Sequence, residues 1–526
     1  MGNRVLAVGC AIVLMGAAAL AEVKPATLFS DHSVLQSGMA VPVWGTADAG
    51  EKVTVSIAGE KASAVAGADG RWMVKLGKLK AGGPFEMTIA GKNTVVVKDV
   101  LVGEVWLGSG QSNMEFNVSV KNHRPYGVMN EDQEIAAANY PQIRMFTGNA
   151  TKTSEPQREI EGAWVVCSPE TVGDFSAVGY LFARDLQHEL KVPVGIVLEA
   201  YGASTAESWV PRDAMEGDPK LNGKLAKFDE RLKYFKEHPG ALDDEAAPPA
   251  PQTLNARPAG KPAPIRDPVQ DQHQPTVLWN GMMEPVVPYA IRGFLWYQGE
   301  SIVGGKDGVL LYPHTMESLV KTWRARWGEG ELPFYFVQLA SQKNASNNAA
   351  VREAQAQLLS VPKTAMAVTI DIGDPNNVHP KNKQVLGQRL TKMALANVYG
   401  RRIEYSGPVY EGMKVEGSAV RLRFSHAVGM MAGKIAPDGT VTADGALKWF
   451  QIAGADQKFV DAEAKVEGDS VVVSSSSVAA PVAVRYAWDD YPEGANLYNG
   501  AGFPAAPFRT DSWDALTPIA ARFTGK

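Results

Sequence analysis

At 526 residues the chain is too long for one ordinary hydrophobic core, and about two to four domains are expected. Hydrophobic residues at 45% and charged residues at 21% give a normal globular balance. A formal net charge of −5 gives no electrostatic reason to expect nucleic acid or an anionic membrane as partner.

The chain opens with a positive start at Arg4, an apolar run, and the small-x-small site Ala19-Leu20-Ala21. That is the pattern of a secretory signal peptide over residues 1–21, too short and too clearly ended for a membrane anchor. No membrane association is expected after its removal. Cys10 would leave with it, so Cys167 would stand alone without an intrachain disulfide. In "AWVVC" it reads as a small buried hydrophobe on a strand. A secreted chain without disulfides behind a short signal fits a bacterial periplasm or exterior.

Residues 22–100 alternate with a period of two. Val53, Val55 and Ile57 do so, then Trp72, Val74 and Leu76, then Phe85, Met87 and Ile89. Turn signals such as "GADG" separate them, which predicts an N-terminal β-sandwich-like module. Residues 101–400 change character. Short apolar runs read as buried parallel strands: "EVWL", "VGIVL", "IRGFLWY", "FYFVQLA" and "MAVTID". Helical stripes lie between them: Val178, Leu181, Phe182 and Leu186; Met316, Leu319, Val320 and Trp323; Leu386, Leu390 and Met393. This predicts a doubly wound α/β sheet with helices on both faces and ligands at the carboxyl ends of its strands. Within it, residues 213–270 read as a surface insertion: a charged amphipathic helix and a Pro/Ala-rich stretch. From 401 to 526 alternation returns as a C-terminal β module.

Polar residues follow three of the predicted strands. In "GSGQSNMEF", Gly108 and Gly110 allow a tight turn before Ser112. Ser112 is either a turn residue or a nucleophile, and the G-x-S-x-G elbow fails because Met114 holds the last glycine position. In "VGIVLEAYGAS", Gly202 could offer a backbone N–H. In "FLWYQGES", Gln298 and Glu300 end a strand, and Glu300 reads equally as a catalytic acid or as a structural acceptor. A serine nucleophile needs a base, and His379 in "DIGDPNNVHPKNKQ" follows a strand, with Asp374 and Asp371 upstream. No zinc, phosphate-loop or dinucleotide motif is visible, so neither metal nor cofactor is expected.

In order along nearly the whole chain, these segments resemble the SGNH hydrolase superfamily, and within it the sialate O-acetylesterase family of carbohydrate esterases. The resemblance runs from "LFSDHSVLQ" through "GEVWLGSGQSNMEF", "FLWYQGES" and "DIGDPNNVHPKNKQ" to the last β strands. It implies Ser112 as nucleophile and His379 as base. The oxyanion hole would be built from the N–H groups of Ser112 and Gly202 and the side chain of Gln298, with Asn113 and Glu300 in support. The substrate it implies is an acetylated carbohydrate, sialate or plant-wall polysaccharide. A non-catalytic carbohydrate-binding or cell-surface protein that keeps the fold is the alternative. The chain departs from the family pattern at Asn376 and Asn377, where relatives carry Asp before the histidine, and at Ala203 and Ile302. The group that orients His379 is therefore Asp374, Asp371 or a backbone carbonyl near Asn377, with Asp374 preferred as the nearer carboxylate. An unperturbed imidazole places the loss of activity below about pH 6.5.

Overall fold

The computed structural model describes residues 22–120, 127–240, 265–302, 305–343 and 347–514. The expected signal peptide and most of the Pro/Ala-rich stretch lie outside the described residues. The central sheet is built from β1 (Thr94–Gly110), β2 (Tyr140–Gly148), β3 (Gly162–Cys167), β4 (Val194–Ala200), β5 (Gly293–Tyr297), β6 (Phe334–Val337) and β7 (Thr364–Ala367). Their spatial order is β3-β2-β4-β1-β5-β6-β7. The β3–β2 pair is antiparallel and the remaining neighbours are parallel.

Both faces of this sheet are buried, as continuous apolar strands require. On β1 and β5, Trp106, Leu295 and Tyr297 enter one core with Leu181, Phe182 and Leu386. Leu107, Phe294 and Trp296 enter the other with Leu319, Val320 and Trp323. The first core is capped by α2 (Ala177–Leu190) and α4 (Lys383–Asn397), the second by α3 (Gly305–Trp327). The helical stripes read from the sequence are the faces these helices bury. Among the described residues no helix is long and apolar enough to cross a membrane.

The N-terminal β module is joined to this sheet by a shared strand. β1 runs unbroken through residues 100 and 101, pairing with Gly82–Ala90 at its start and with β4 and β5 at its end. The segment expected to be a surface insertion is partly packed. Its helix, Asn222–Glu237, buries Leu225 and Phe228, and Met215 and Leu221 before it are fully buried. Apolar stem area, rather than the charged face, decides where such a helix lies. Residues 409–514 form the second β module in several antiparallel sheets. Cys167 is buried, and burial pushes its thiol up to about 12, so it is an inert hydrophobe.

The chain reverses its direction of sheet growth around β1: it adds β2 and β4 on one side, then β5, β6 and β7 on the other. The crevices beside the end of β1 are thus a topological switch point. Gly110 closes β1 at φ +134°, and a β-carbon there would lie 2.2 Å from the Tyr297 carbonyl oxygen. Only glycine combines that dihedral with that approach. We expect Gly110→Ala to destabilise the fold by about 2–4 kcal/mol in urea denaturation. A wild-type midpoint would show that the two strand ends do not meet this closely.

Glu199 on β4 is fully buried, with its carboxyl against the Gly148 backbone and no well-formed hydrogen bond to either oxygen. Burial raises its pKa well above the ordinary carboxylate value. The folded state therefore favours the protonated form, and stability falls as pH rises from the unfolded carboxylate value toward the folded one. Glu199→Gln should melt like the wild type at about pH 4, close to the ordinary glutamate value, and higher than it near neutrality. Equal melting temperatures at both pH values would exclude a buried neutral carboxyl.

Candidate active site

Ser112 begins a single helical turn, α1 (Ser112–Glu115), directly after β1. Gln111 makes the turn: its N–H donates to the Tyr297 carbonyl at 2.9 Å, and its Oε1 accepts from the N–H groups of Gly299 and Ser301. The serine is thereby fixed to the end of β5 as well as β1. His379 arrives from the loop between β7 and α4. Its Nε2 lies 2.7 Å from Ser112 Oγ, the separation a serine hydroxyl and its base require. Both side chains are half-buried and keep a face toward solvent.

Gly202 stands beside them. A β-carbon on it would lie 3.7 Å from Ser112 Cβ and 3.0 Å from Glu115 Oε2. Among the described residues, neither the Ser112 nor the Gly202 N–H is used in a backbone hydrogen bond. Ala203 next to it adopts φ +56°, the left-handed region that favours glycine. Ile302 is buried in the core that holds Trp296 and Trp323.

Three of the residues expected at the site have other tasks. Gln298 is fully buried, and its Nε2 donates to the carbonyls of Ser204 at 3.2 Å and Ser301 at 2.9 Å. Its Oε1 accepts from Tyr312 at 2.8 Å. Both amide hydrogens are spent on the loops, because a buried amide must satisfy itself where water is absent, and none remains for an oxyanion. Asp374 turns Oδ1 to the N–H groups of Asn376 at 2.8 Å and Asn377 at 3.1 Å. It shapes the histidine's loop as a turn residue does. Asp371 forms a buried ion pair with Arg389 at 2.6 Å and accepts from Tyr498 of the C-terminal module at 3.0 Å.

Asn113 and Glu300 do come together. Asn113 is fully buried; its Nδ2 donates to Glu300 Oε1 and, at 3.0 Å, to the carbonyl of Val378. Its Oδ1 accepts from Lys383 Nζ at 2.7 Å. Lys383 was not singled out in the sequence, although a lysine in the first turn of a helix with an apolar face is a signal that could have marked it. Glu115, three positions after Ser112 and hence on the same face of the turn, was missed too.

The electrostatics follow from this packing. Burial, and then the Lys383 charge, push the His379 imidazole down to about 4. Burial pushes Lys383 down to about 7 against the pull of Glu300. Glu300 is raised by burial, with Asn113 and Lys383 opposing the rise. A neutral imidazole against a serine hydroxyl, with two nearby N–H groups not used in backbone hydrogen bonds, suits nucleophilic attack on an ester carbonyl. Among the described residues no group of His, Cys, Asp and Glu is placed to hold a metal ion.

Comparison with known proteins agrees with this chemistry. A family model described as carbohydrate esterase, sialic acid-specific acetylesterase, matches residues 276–396. The sialate O-acetylesterase of Rattus norvegicus is 31% identical over 431 residues, covering 73% of this chain and 75% of the relative. That of Homo sapiens is 26% identical over 537 residues, covering 92% of this chain and 91% of the relative. Among solved structures, a carbohydrate acetylesterase from Xanthomonas citri is 34% identical with a TM-score of 0.77, covering 93% of this chain and all of that one. Shared sequence and shared fold over most of the length place this chain in the sialate O-acetylesterase family of carbohydrate esterases, as a carboxylic-ester hydrolase.

Proposed function

We propose that this protein is a secreted carbohydrate O-acetylesterase working through a Ser112–His379 acyl-enzyme. The observation that carries the reading is the 2.7 Å approach of His379 Nε2 to Ser112 Oγ at the switch point of the sheet. Ser112 Oγ attacks the acetyl carbonyl while Nε2 takes its proton. The N–H groups of Ser112 and Gly202 receive the oxyanion, each such donor lowering the barrier by about 3 kcal/mol. The sugar hydroxyl leaves with the proton from His379, and water, activated by the same imidazole, releases acetate. The signal-peptide pattern read over residues 1–21 supports export to a bacterial periplasm or exterior. The substrate is an O-acetylated sugar. Acetate release from a panel of acetylated sialic acid, xyloglucan, xylan and pectin separates sialate from plant-wall specificity.

Ser112→Ala should fold like the wild type and lose at least about 10³-fold in kcat on p-nitrophenyl acetate. Retention of turnover would assign the nucleophile elsewhere and reopen the non-catalytic reading of the fold.

The base must be neutral to accept a proton, so a lowered imidazole pKa extends activity to acid. The acid limb of kcat/KM should fall near the imidazole value of about 4 rather than near 6.5, the expectation for an unperturbed histidine. Asp374 supports the loop and does not serve the ring, so Asp374→Asn should cost on the order of tenfold or less. A true triad carboxylate costs about 10⁴-fold. A limb near 6.5 together with a triad-sized loss would return Asp374 to the imidazole.

A further inference from the structure

Lys383 sits where elementary physics disfavours it. It is 1% exposed, and it is the first residue of α4, where the helix dipole repels a cation. Burying an ammonium costs several kcal/mol unless partners replace its water. The surroundings supply such partners: Asn113 Oδ1 at 2.7 Å, the Phe116 ring at 4.7 Å and the Tyr297 ring at 5.0 Å. Helix α4 needs no lysine to begin, because Asn382 caps it by accepting from the Val385 N–H.

Asn113 follows Ser112, and Val378 precedes His379. The Asn113 amide therefore joins the nucleophile's turn to the base's loop one residue away from each reacting group. That amide works only in one orientation. With Nδ2 toward Glu300 and Val378, Oδ1 must face a donor, and Lys383 is the donor.

We propose that Lys383 is a positioning residue for the Ser112–His379 reaction, holding the Asn113 amide so that it clamps the carbonyl of Val378 and sets the approach of the imidazole to the serine. The inference rests on the Ser–His reading given above. It carries an electrostatic corollary. Lys383 is charged in the acid range where His379 titrates, and its charge opposes the imidazolium. The other titratable groups around the pair are Glu115 from α1, Tyr297 and Glu300 at the end of β5, Asp374 in the histidine's loop, and Tyr491 of the C-terminal module beside Asp374. Of the charges in this set, that of Lys383 acts on the imidazole, and it disfavours the imidazolium.

The test compares Lys383→Met with Lys383→Gln in the full chain. Methionine removes both charge and donor; glutamine removes the charge and keeps a donor. Neither inserts a buried charge, and melting temperatures check the fold of each. In both variants the acid limb of kcat/KM should move up by about 0.5–1 pH unit. In Lys383→Met kcat should also fall about 10–100-fold with KM little changed, and the fall should be smaller in Lys383→Gln. Folded variants whose acid limb stays in place, or whose losses in kcat are equal, would reduce Lys383 to a packing residue and overturn the proposal. The Ser–His reading is tested separately by Ser112→Ala. An inactive Ser112→Ala beside unmoved Lys383 limbs overturns the lysine's role alone.

Discussion

The site depends on one close contact: the backbone of Gly110 against the backbone of Tyr297, where β1 and β5 end side by side. Parallel strands in register bring their carboxyl ends to one level, but side chains ordinarily keep the following turns apart. The missing β-carbon removes that spacer. Gln111 then donates across to Tyr297, and its side chain accepts from the Gly299 and Ser301 N–H groups. The turn carrying Ser112 and the turn carrying Glu300 become one hydrogen-bonded unit. Asn113 extends that unit to the histidine's loop.

The charge arrangement differs from that of a serine protease. There a carboxylate stabilises the imidazolium and raises the base's pKa. Here the charge that shifts the imidazole is an ammonium, and together with burial it holds the histidine neutral far into acid. Carboxylate partners are common for the other histidines: His32 pairs with Asp99, His273 with Asp271, His314 with Asp218 and His426 with Glu404. Such pairing therefore does not single out any one histidine in this chain. What marks His379 is its place on the sheet edge and its distance to a serine. A weaker base gives up proton affinity and keeps its competent form over a wider pH range.

The acidic residues upstream of His379 work on architecture. Asp371 ties β7's loop to Arg389 of α4 and to Tyr498 of the C-terminal module. Arg352, fully buried, donates to the carbonyls of Asp489 and Asp490 in the same module. The second β module is thus fastened to the loop region that carries His379. Its docking restrains that loop, which is a physical reason for a hydrolase domain to keep the module.

The sequence by itself determined the layers and singled out the serine and the histidine that the fold sets side by side. Apolar runs separated by helical stripes identify a doubly wound sheet, since only burial on both faces tolerates strands such as "FLWY" and "VGIVL". Glycines before Ser112 and a histidine after the last strand place both groups at the carboxyl edge, because parallel strands all end there. Tertiary structure decided which polar groups reach which partners. Gln298 lies one residue past β5 and reads as an oxyanion donor, yet its amide hydrogens go to Ser204 and Ser301. Asp374 is near His379 in sequence and spends its Oδ1 on the backbone. Lys383 is unremarkable as a letter and becomes a partner of Asn113 across 270 residues. Periodicity records which side of an element is buried. The direction of a hydrogen bond is set by whatever donor or acceptor lies within about 3 Å, and that neighbour comes from elsewhere in the chain.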